Sequence, residues 1–410
     1  MGRCSELSDT RRIAKNVASL SHILCVGCRS CEQSCPKQCI NMQADTEGFL
    51  FPKISDDCIE CGSCVRHCPV LSPQKNTDFV AERYAMILKN KNVLSKSSSG
   101  GAFGGIADYI LHNGGVVFGA AFDEKLCVKQ TAVHSPEKLH IVQGSKYVSC
   151  STEHSFSDVK RLLENEKTVL YGGSPCQIAG LKAFLGKSYE NLFTMDLICH
   201  GVPSEKLFQK YLEWLGKKTK GKVIYYGFRD KDIAGWSCGG KTLVKTKTKT
   251  KVIDGICDPY YSAFLRCESY RESCYRCPFA RSENRIGDIT MGDFWGTDKT
   301  YPEISGKDGI SFCTINSEQG KKVFDLIKND FDIFPVPGDE CLRVNVAYNH
   351  ASLRPSVRNS IYDGIDGDLN QFFKKFKYEK YPIFLIKKCI HRFCPASLKK
   401  ILKRLLRRGV

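Results

Sequence analysis

The sequence predicts a mixed chain, α+β in its first part and α/β in its second: a small cysteine-ligated domain, then a mixed α/β domain containing a βαβ unit, then a basic amphipathic C-terminal helix. Three observations carry this. Eight cysteines near the N-terminus repeat one spacing, residues 168–198 read strand–helix–strand, and a Leu and Ile stripe runs among Lys and Arg in the last turns of the chain.

The first element is the duplicated run Cys25, Cys28, Cys31, Cys35 and Cys58, Cys61, Cys64, Cys68, each C-x2-C-x2-C-x3-C followed by Pro36 or Pro69. A cubane cluster needs several thiolates converging on one object, and the tight loop delivers three. The fourth Cys of such a run ligates the other cluster. The expected sets are therefore Cys25, Cys28, Cys31 and Cys68 for one [4Fe-4S] cluster, and Cys58, Cys61, Cys64 and Cys35 for the other. Zinc is the competing reading, but tetrahedral zinc has no use for the third closely spaced Cys. The module resembles bacterial two-cluster ferredoxins and is expected over residues 18–76. It carries electrons singly and makes no bonds itself.

At 410 residues the chain is long enough for two or three domains. Its 23 cysteines suit a disulfide scaffold only in an oxidising compartment. The N-terminus MGRCSELSDTRRIAKNVASL has no apolar core of a secretory signal, and no apolar run is long enough to span a bilayer. A reducing, cytoplasmic setting is expected. The net charge of +17 is localised, because residues 371–410 hold 13 Lys or Arg against Glu379 alone. That distribution argues against a broad nucleic-acid face, and no nucleic-acid-binding motif is present.

After a strand expected at Arg83–Leu88, the Ser and Gly cluster Ser97–Gly101 feeds a helix whose Phe103, Ile106, Ala107, Ile110 and Leu111 share one face. A loop entering a helix N-terminus suits a phosphate, although glycines there also serve close packing. A buried strand is expected at residues 116–122, and a turn at Gly144 presents Lys146 and Tyr147. Residues 168–173, 177–186 and 192–198 then form the βαβ unit. Cys176 and Cys199 follow its two strands, at the sheet edge where ligands gather in open α/β folds. Cys274-Tyr-Arg-Cys277-Pro278 supplies two more thiols, so a third [4Fe-4S] cluster is expected on Cys176, Cys199, Cys274 and Cys277. A structural zinc or small core cysteines are the alternatives. Packing is the expected role of Cys4, Cys39, Cys127, Cys150, Cys238, Cys257, Cys267, Cys313 and Cys341. The alternating KTKTKTKV at 245–252 reads as a charge-protected edge strand, and RIGDITMGDFWG places Asp293 and Trp295 at a turn that is a site or a structural corner.

Taken in order, SSSGGAF, GGVVFGAAF, QGSKYVS, GSPCQIAGL, ICHGVPS, CYRCPFA and RIGDITMGDFWG resemble the family of coenzyme F-420 hydrogenase/dehydrogenase beta subunits over roughly residues 77–340. The resemblance implies FAD near Ser98, Ser99, Gly100, Gly101, Lys146 and Tyr147, and an iron-sulfur cluster on the four cysteines just named. It implies an iron-sulfur flavoprotein oxidoreductase passing electrons between ferredoxin-type clusters and an organic hydride carrier or acceptor, with F-420 or a redox partner protein at one end. No catalytic acid or base is assigned. The contrasting reading is a non-catalytic electron-transfer or redox-sensing protein serving a partner enzyme, with polysaccharide biosynthesis one setting in which relatives are found.

Residues 341–410 are expected to form an extension. Leu398, Ile401, Leu402, Leu405 and Leu406 make its stripe, and Lys399, Lys400, Lys403, Arg404, Arg407 and Arg408 fill the other faces. Such a helix either docks on an anionic membrane surface or packs on protein.

Overall fold

The computed structural model describes residues 15–73, 79–231, 235–236, 239–254, 258–297, 301, 303–304, 306–337 and 345–374. The basic helix expected at 396–410 lies outside these residues, as do Cys4, Cys238, Cys257 and Cys341. No described helix is long and apolar enough to cross a membrane.

The N-terminal part is two halves built alike. Each cysteine loop turns left-handed at the same two positions, Gly27 and Arg29 in one half and Glu60 and Gly62 in the other. Each then enters a one-turn helix, Ser30–Gln33 or Ser63–Arg66. A side chain at positive φ is strained, and Arg29 is held there by Glu32 at 2.6 Å and Ser151 at 2.7 Å. The halves are stitched reciprocally: Ser30 Oγ donates to His67 O at 2.8 Å, and Ser63 Oγ to Ser34 O at 3.1 Å. Between them β1 (Ile40–Ala44) pairs antiparallel with β2 (Leu50–Ile54).

The larger part is organised by an eight-stranded mixed sheet. Its strands are β3 (Glu82–Leu88), β4 (Val116–Phe122), β5 (Val128–Val133), β6 (Val169–Gly173), β7 (Leu192–Leu197), β11 (Ile289–Asp293), β12 (Ser311–Ile315) and β13 (Phe331–Pro335). The order is β13-β3-β12-β11-β7-β6-β4-β5, with β11, β7, β6 and β4 parallel and both flanks antiparallel. Alternation along the strands faces two cores. Val117, Ala121 and Leu170 pack with helices Ala102–His112 and Glu318–Ile327. Val116, Phe118, Val169 and Tyr171 pack with helices Ser155–Glu164 and Pro175–Leu185. The βαβ unit thus stands as read, with its helix starting two residues early because Pro175 and a Ser174–Gln177 capping box fix its first turn.

A separate antiparallel sheet holds β8 (Lys222–Gly227), β9 (Lys241–Lys245) and β10 (Thr250–Asp254) in the order β10-β9-β8. Here the sequence reading is corrected. KTKTKTKV is not one strand: β9 ends at Lys245, the chain reverses, and β10 begins at Thr250. Thr246 Oγ1 donates to Lys249 O at 2.7 Å and accepts from Lys249 N–H at 3.1 Å, so a threonine supports the reversal with no Gly to mark it.

Past residue 340 the chain remains part of the core. Ile361, Tyr362, Ile365, Leu369, Phe372 and Phe373 bury with Tyr211, Trp214 and Tyr260, the helix Glu205–Thr219 lying against them. Arg358 is buried, donates to Tyr270 O at 2.9 Å, and forks onto Glu47 in the β1–β2 turn with contacts of 2.5 and 2.6 Å. This segment therefore ties the N-terminal domain to the larger one.

Candidate functional site

The candidate thiols fall into three groups, two drawn from the repeated spacing and the third from two strand ends and a C-x2-C pair. Cys25, Cys28, Cys31 and Cys68 line one small cavity. Burial pushes the Cys28 thiol well up, and the neighbouring Cys68, Cys31 and Cys25 add to it. Cys35, Cys58, Cys61 and Cys64 line a second cavity, with Cys61 exposed. Cys39 joins them, its Sγ 3.4 Å from that of Cys35. Cys39 is buried in the core of the domain, as the packing role expects, and it also lines this cavity.

The third group comes from four places in the chain. Cys176 sits in the first turn of the helix after β6, its Sγ 3.1 Å from Ser174 Oγ, and Cys199 follows β7. Cys274 and Cys277 come from the turn of helix at Glu272–Arg276 and just beyond it. Burial raises Cys199 well above the ordinary thiol range, and Cys274, Cys176 and Cys277 each add to the rise. Cys274 is pushed up to about 12 and Cys277 to about 11, burial being the main cause.

Buried thiols that raise one another's pKa are chemically suited to a cation that displaces their protons. Among the described residues, no three His, Cys, Asp or Glu side chains close tightly enough to hold a single metal ion.

Beside the third group lies a cavity of about 410 Å³, inside the usual range of about 300–1,000 Å³ for small-molecule sites. It opens at the carboxyl ends of the parallel strands, lined by Gly172 and Gly173 of β6, Leu197 of β7, and Met291, Gly292 and Asp293 of β11. Ile198 and His200, the chain neighbours of Cys199, line it too, as does Tyr270. Burial lowers the pKa of His200 and favours its neutral form.

Five of the six residues associated with FAD line this cavity: Ser98, Ser99, Gly101, Lys146 and Tyr147. Gly100 faces the sheet instead, where a Cβ would lie 2.3 Å from Met86 O and Ser311 N. Gly101 caps the helix Ala102–His112 at φ 85, as the loop-into-helix reading expected. The loop hydroxyls already have protein partners. Ser98 Oγ accepts from Ser145 N–H at 2.8 Å, and Ser99 Oγ donates to Ile310 O at 2.7 Å.

Lys146 is half-buried as a residue, but its ammonium lies deep, donating to Gln143 O at 2.7 Å, and burial lowers its pKa to about 8. Tyr147 stacks on Phe264 at 4.3 Å. Asp293 forks onto Arg229 at 2.6 and 3.2 Å and accepts from Trp236 Nε1 at 2.9 Å, while Trp295 stacks on Trp236 at 4.7 Å. Arg229, which no local pattern marked, lines the cavity with its buried Nε lacking a hydrogen bond. That orphaned donor, the strand-end glycines and the aromatic wall fit a planar, partly anionic cofactor such as a flavin nucleotide.

The family model for the carboxyl-terminal part of the coenzyme F420 hydrogenase/dehydrogenase beta subunit matches residues 166–334, and a 4Fe-4S dicluster domain model matches residues 24–72. The F component of the F(420)H(2) dehydrogenase of Methanosarcina mazei is 22% identical over 341 residues, covering 78% of this chain and 88% of that protein. Ferredoxin 7Fe of Hydrogenibacillus schlegelii is 36% identical over 75 residues, covering 18% of this chain and 90% of the ferredoxin. Among solved structures, a chain of the F420-reducing [NiFe] hydrogenase complex from Methanosarcina barkeri aligns with TM-score 0.42 and 16% identity, over 71% of this chain and 95% of its own. Residues 166–334 belong to the family of coenzyme F-420 hydrogenase/dehydrogenase beta subunits, and residues 24–72 form an N-terminal dicluster ferredoxin domain.

Proposed function

We propose that this chain is a flavin-containing oxidoreductase with three [4Fe-4S] sites, exchanging electrons between its ferredoxin domain (residues 18–76) and an organic hydride carrier at the cavity of the following domain (77–340). Family membership makes it an iron-sulfur electron-transfer oxidoreductase. One observation carries the finer reading: Ile198 and His200, the two chain neighbours of Cys199, line the cavity together with Tyr270. When bound there, FAD would supply two-electron hydride chemistry beside a one-electron centre.

The chain's own groups have definable tasks. Cys25, Cys28, Cys31 and Cys68 would hold one cluster, Cys58, Cys61, Cys64 and Cys35 the second, and Cys176, Cys199, Cys274 and Cys277 the third. Lys146 and Arg229 bring positive charge to the cavity wall, and Tyr147 offers an aromatic face against Phe264. The partner is a redox protein at the exposed Cys61 side or a small hydride carrier at the cavity. The C-terminal stripe would add peripheral contact with an anionic membrane.

Protein purified and reconstituted without oxygen tests this directly. One FAD per chain, bleached by reduced F-420 or by a reduced ferredoxin, is the expected result, and a colour from clusters alone would remove the flavin reading. The satisfied Ser98 and Ser99 hydroxyls favour a second reading, in which the chain relays electrons to a partner enzyme without a flavin.

A further inference from the structure

We infer that Arg271 is a buried cation shared by two neighbouring cluster sites, Cys25–Cys28–Cys31–Cys68 and Cys176–Cys199–Cys274–Cys277, where it raises both reduction potentials and couples the two sites. The inference rests on the reading that both thiol groups hold clusters.

The placement is specific. Arg271 is 5% exposed. Its Nε donates to the carbonyl of Cys25 at 2.7 Å, and its Nη2 to Leu50 O at 2.9 Å. Its own carbonyl accepts from Cys274 N–H at 2.9 Å. The side chain thus reaches into the first site from a main chain that belongs to the third. Phe51 lies against the guanidinium at 4.1 Å, a favourable cation–π arrangement. Room for it comes from Gly27, where a Cβ would stand 3.0 Å from Nη1.

Charge gives the placement its meaning. The other buried arginines, Arg229 and Arg358, pair with Asp293 and Glu47. No carboxylate stands within ion-pair distance of Arg271 among the described residues. A guanidinium keeps its proton in a protein, and an uncompensated buried charge is costly. The anions it would face are the ligand thiolates of the two cluster sites, beside which its bonds with Cys25 and Cys274 place it.

The sites also meet directly, since Gly180, one turn after Cys176, would bring a Cβ to 3.0 Å from Cys28 Sγ. Passing one electron from one cluster to the other oxidises the first by one charge and reduces the second by one. No bond changes and no proton moves, so the only co-reactant is the reductant that loads the clusters. A fixed cation bonded to the backbone of the first site, on a residue whose own carbonyl holds Cys274 N–H of the third, favours the reduced form of each. Arg271 is therefore a positioning and potential-setting residue; it does not act on substrate.

The test is a potentiometric titration followed by electron paramagnetic resonance, on full-length reconstituted protein with iron counted first. Arg271→Gln is expected to lower the midpoints of the first and third clusters by about tenfold in the reduced-to-oxidised ratio, about 59 mV for a one-electron couple. The Cys58–Cys61–Cys64–Cys35 site, which Arg271 does not contact among the described residues, is the internal control and stays put. Arg271→Lys keeps the charge and should hold both midpoints near wild type. If Arg271→Gln loses iron, Phe51→Glu sets a carboxylate against the same guanidinium, retains the Cys25 bond, and should lower the same two midpoints. Twelve iron atoms per chain with unmoved midpoints in these variants, or equal movement at the control site, overturns the proposal alone. Eight iron atoms in the wild type removes the three-cluster reading and the proposal with it.

Discussion

Gly180 presses on Cys28: a Cβ at Gly180 would fall 2.8 Å from the Cβ of Cys28, closer than side chains approach one another. The helix that begins beside Cys176 is thereby fitted against the first ferredoxin loop, and Thr152 Oγ1 donates to Cys28 O at 2.9 Å beside it. Gly180→Ala should force the two apart and cost about 1–3 kcal/mol, the usual effect of overpacking. An anaerobic urea titration read by cluster absorbance checks this. Unchanged stability would mean that the domains are not fitted here.

The third thiol group makes a separate claim on composition. Wild-type protein should contain close to 12 iron atoms and 12 acid-labile sulfides, on the basis of about four of each per cluster. Cys274→Ser with Cys277→Ser should remove about four of each and leave the ferredoxin signals intact. Eight iron atoms plus one zinc in the wild type would favour the structural-zinc alternative.

Arg358 and Glu47 hold the N-terminal domain against the segment beyond residue 340. Arg358 is 1% exposed, whereas Glu47 is 27% exposed. Glu47→Gln leaves the buried guanidinium short of a charge partner, and breaking a buried pair costs about 3–5 kcal/mol. Glu272, 3.5 Å from Arg358 Nε, should keep the loss toward the lower end. Limited proteolysis offers the readout: the variant should release the N-terminal domain faster than wild type, and equal rates would show that apolar packing alone holds it.

The sequence yielded what is written locally. Cysteine spacing singled out ten of the twelve thiols of the three groups and strand ends the other two, Cys176 and Cys199, while strand patterns located β3, β4, β6 and β7, because ligand loops and buried strands each have short-range signatures. The contacts joining domains have none. Arg358 and Glu47 are 311 residues apart, and Arg271 and Cys25 are 246 apart, so neither pair leaves a periodic trace. Arg229 was silent for the same reason, since Asp293 lies 64 residues away. Gly100 and Gly101 show a finer limit. Adjacent glycines read alike in sequence, yet one packs against strand backbone and the other faces the cavity.

Lys146 makes the cavity sensitive to pH. Burial lowers its pKa to about 8 from 10.5, with the Cys150 thiol opposing the shift. Between these values the unfolded chain binds more protons than the folded one, so this group makes the ligand-free protein more stable as pH rises from about 8 to 10.5. Below about 8 both forms are protonated and the cost of the buried ammonium is constant. Binding of an anionic cofactor runs the other way, because the positive charge at the wall is lost as pH passes about 8. Lys231, also lowered to about 8 chiefly by burial and donating to Ser99 O at 2.9 Å, adds a second slope of the same sign. Comparison of wild type with Lys146→Met isolates the first. FAD affinity should fall across about pH 7–9 more steeply in wild type than in the variant, while ligand-free stability should rise less in the variant. Parallel affinity curves for the two proteins would show that Lys146 carries no charge to the bound group.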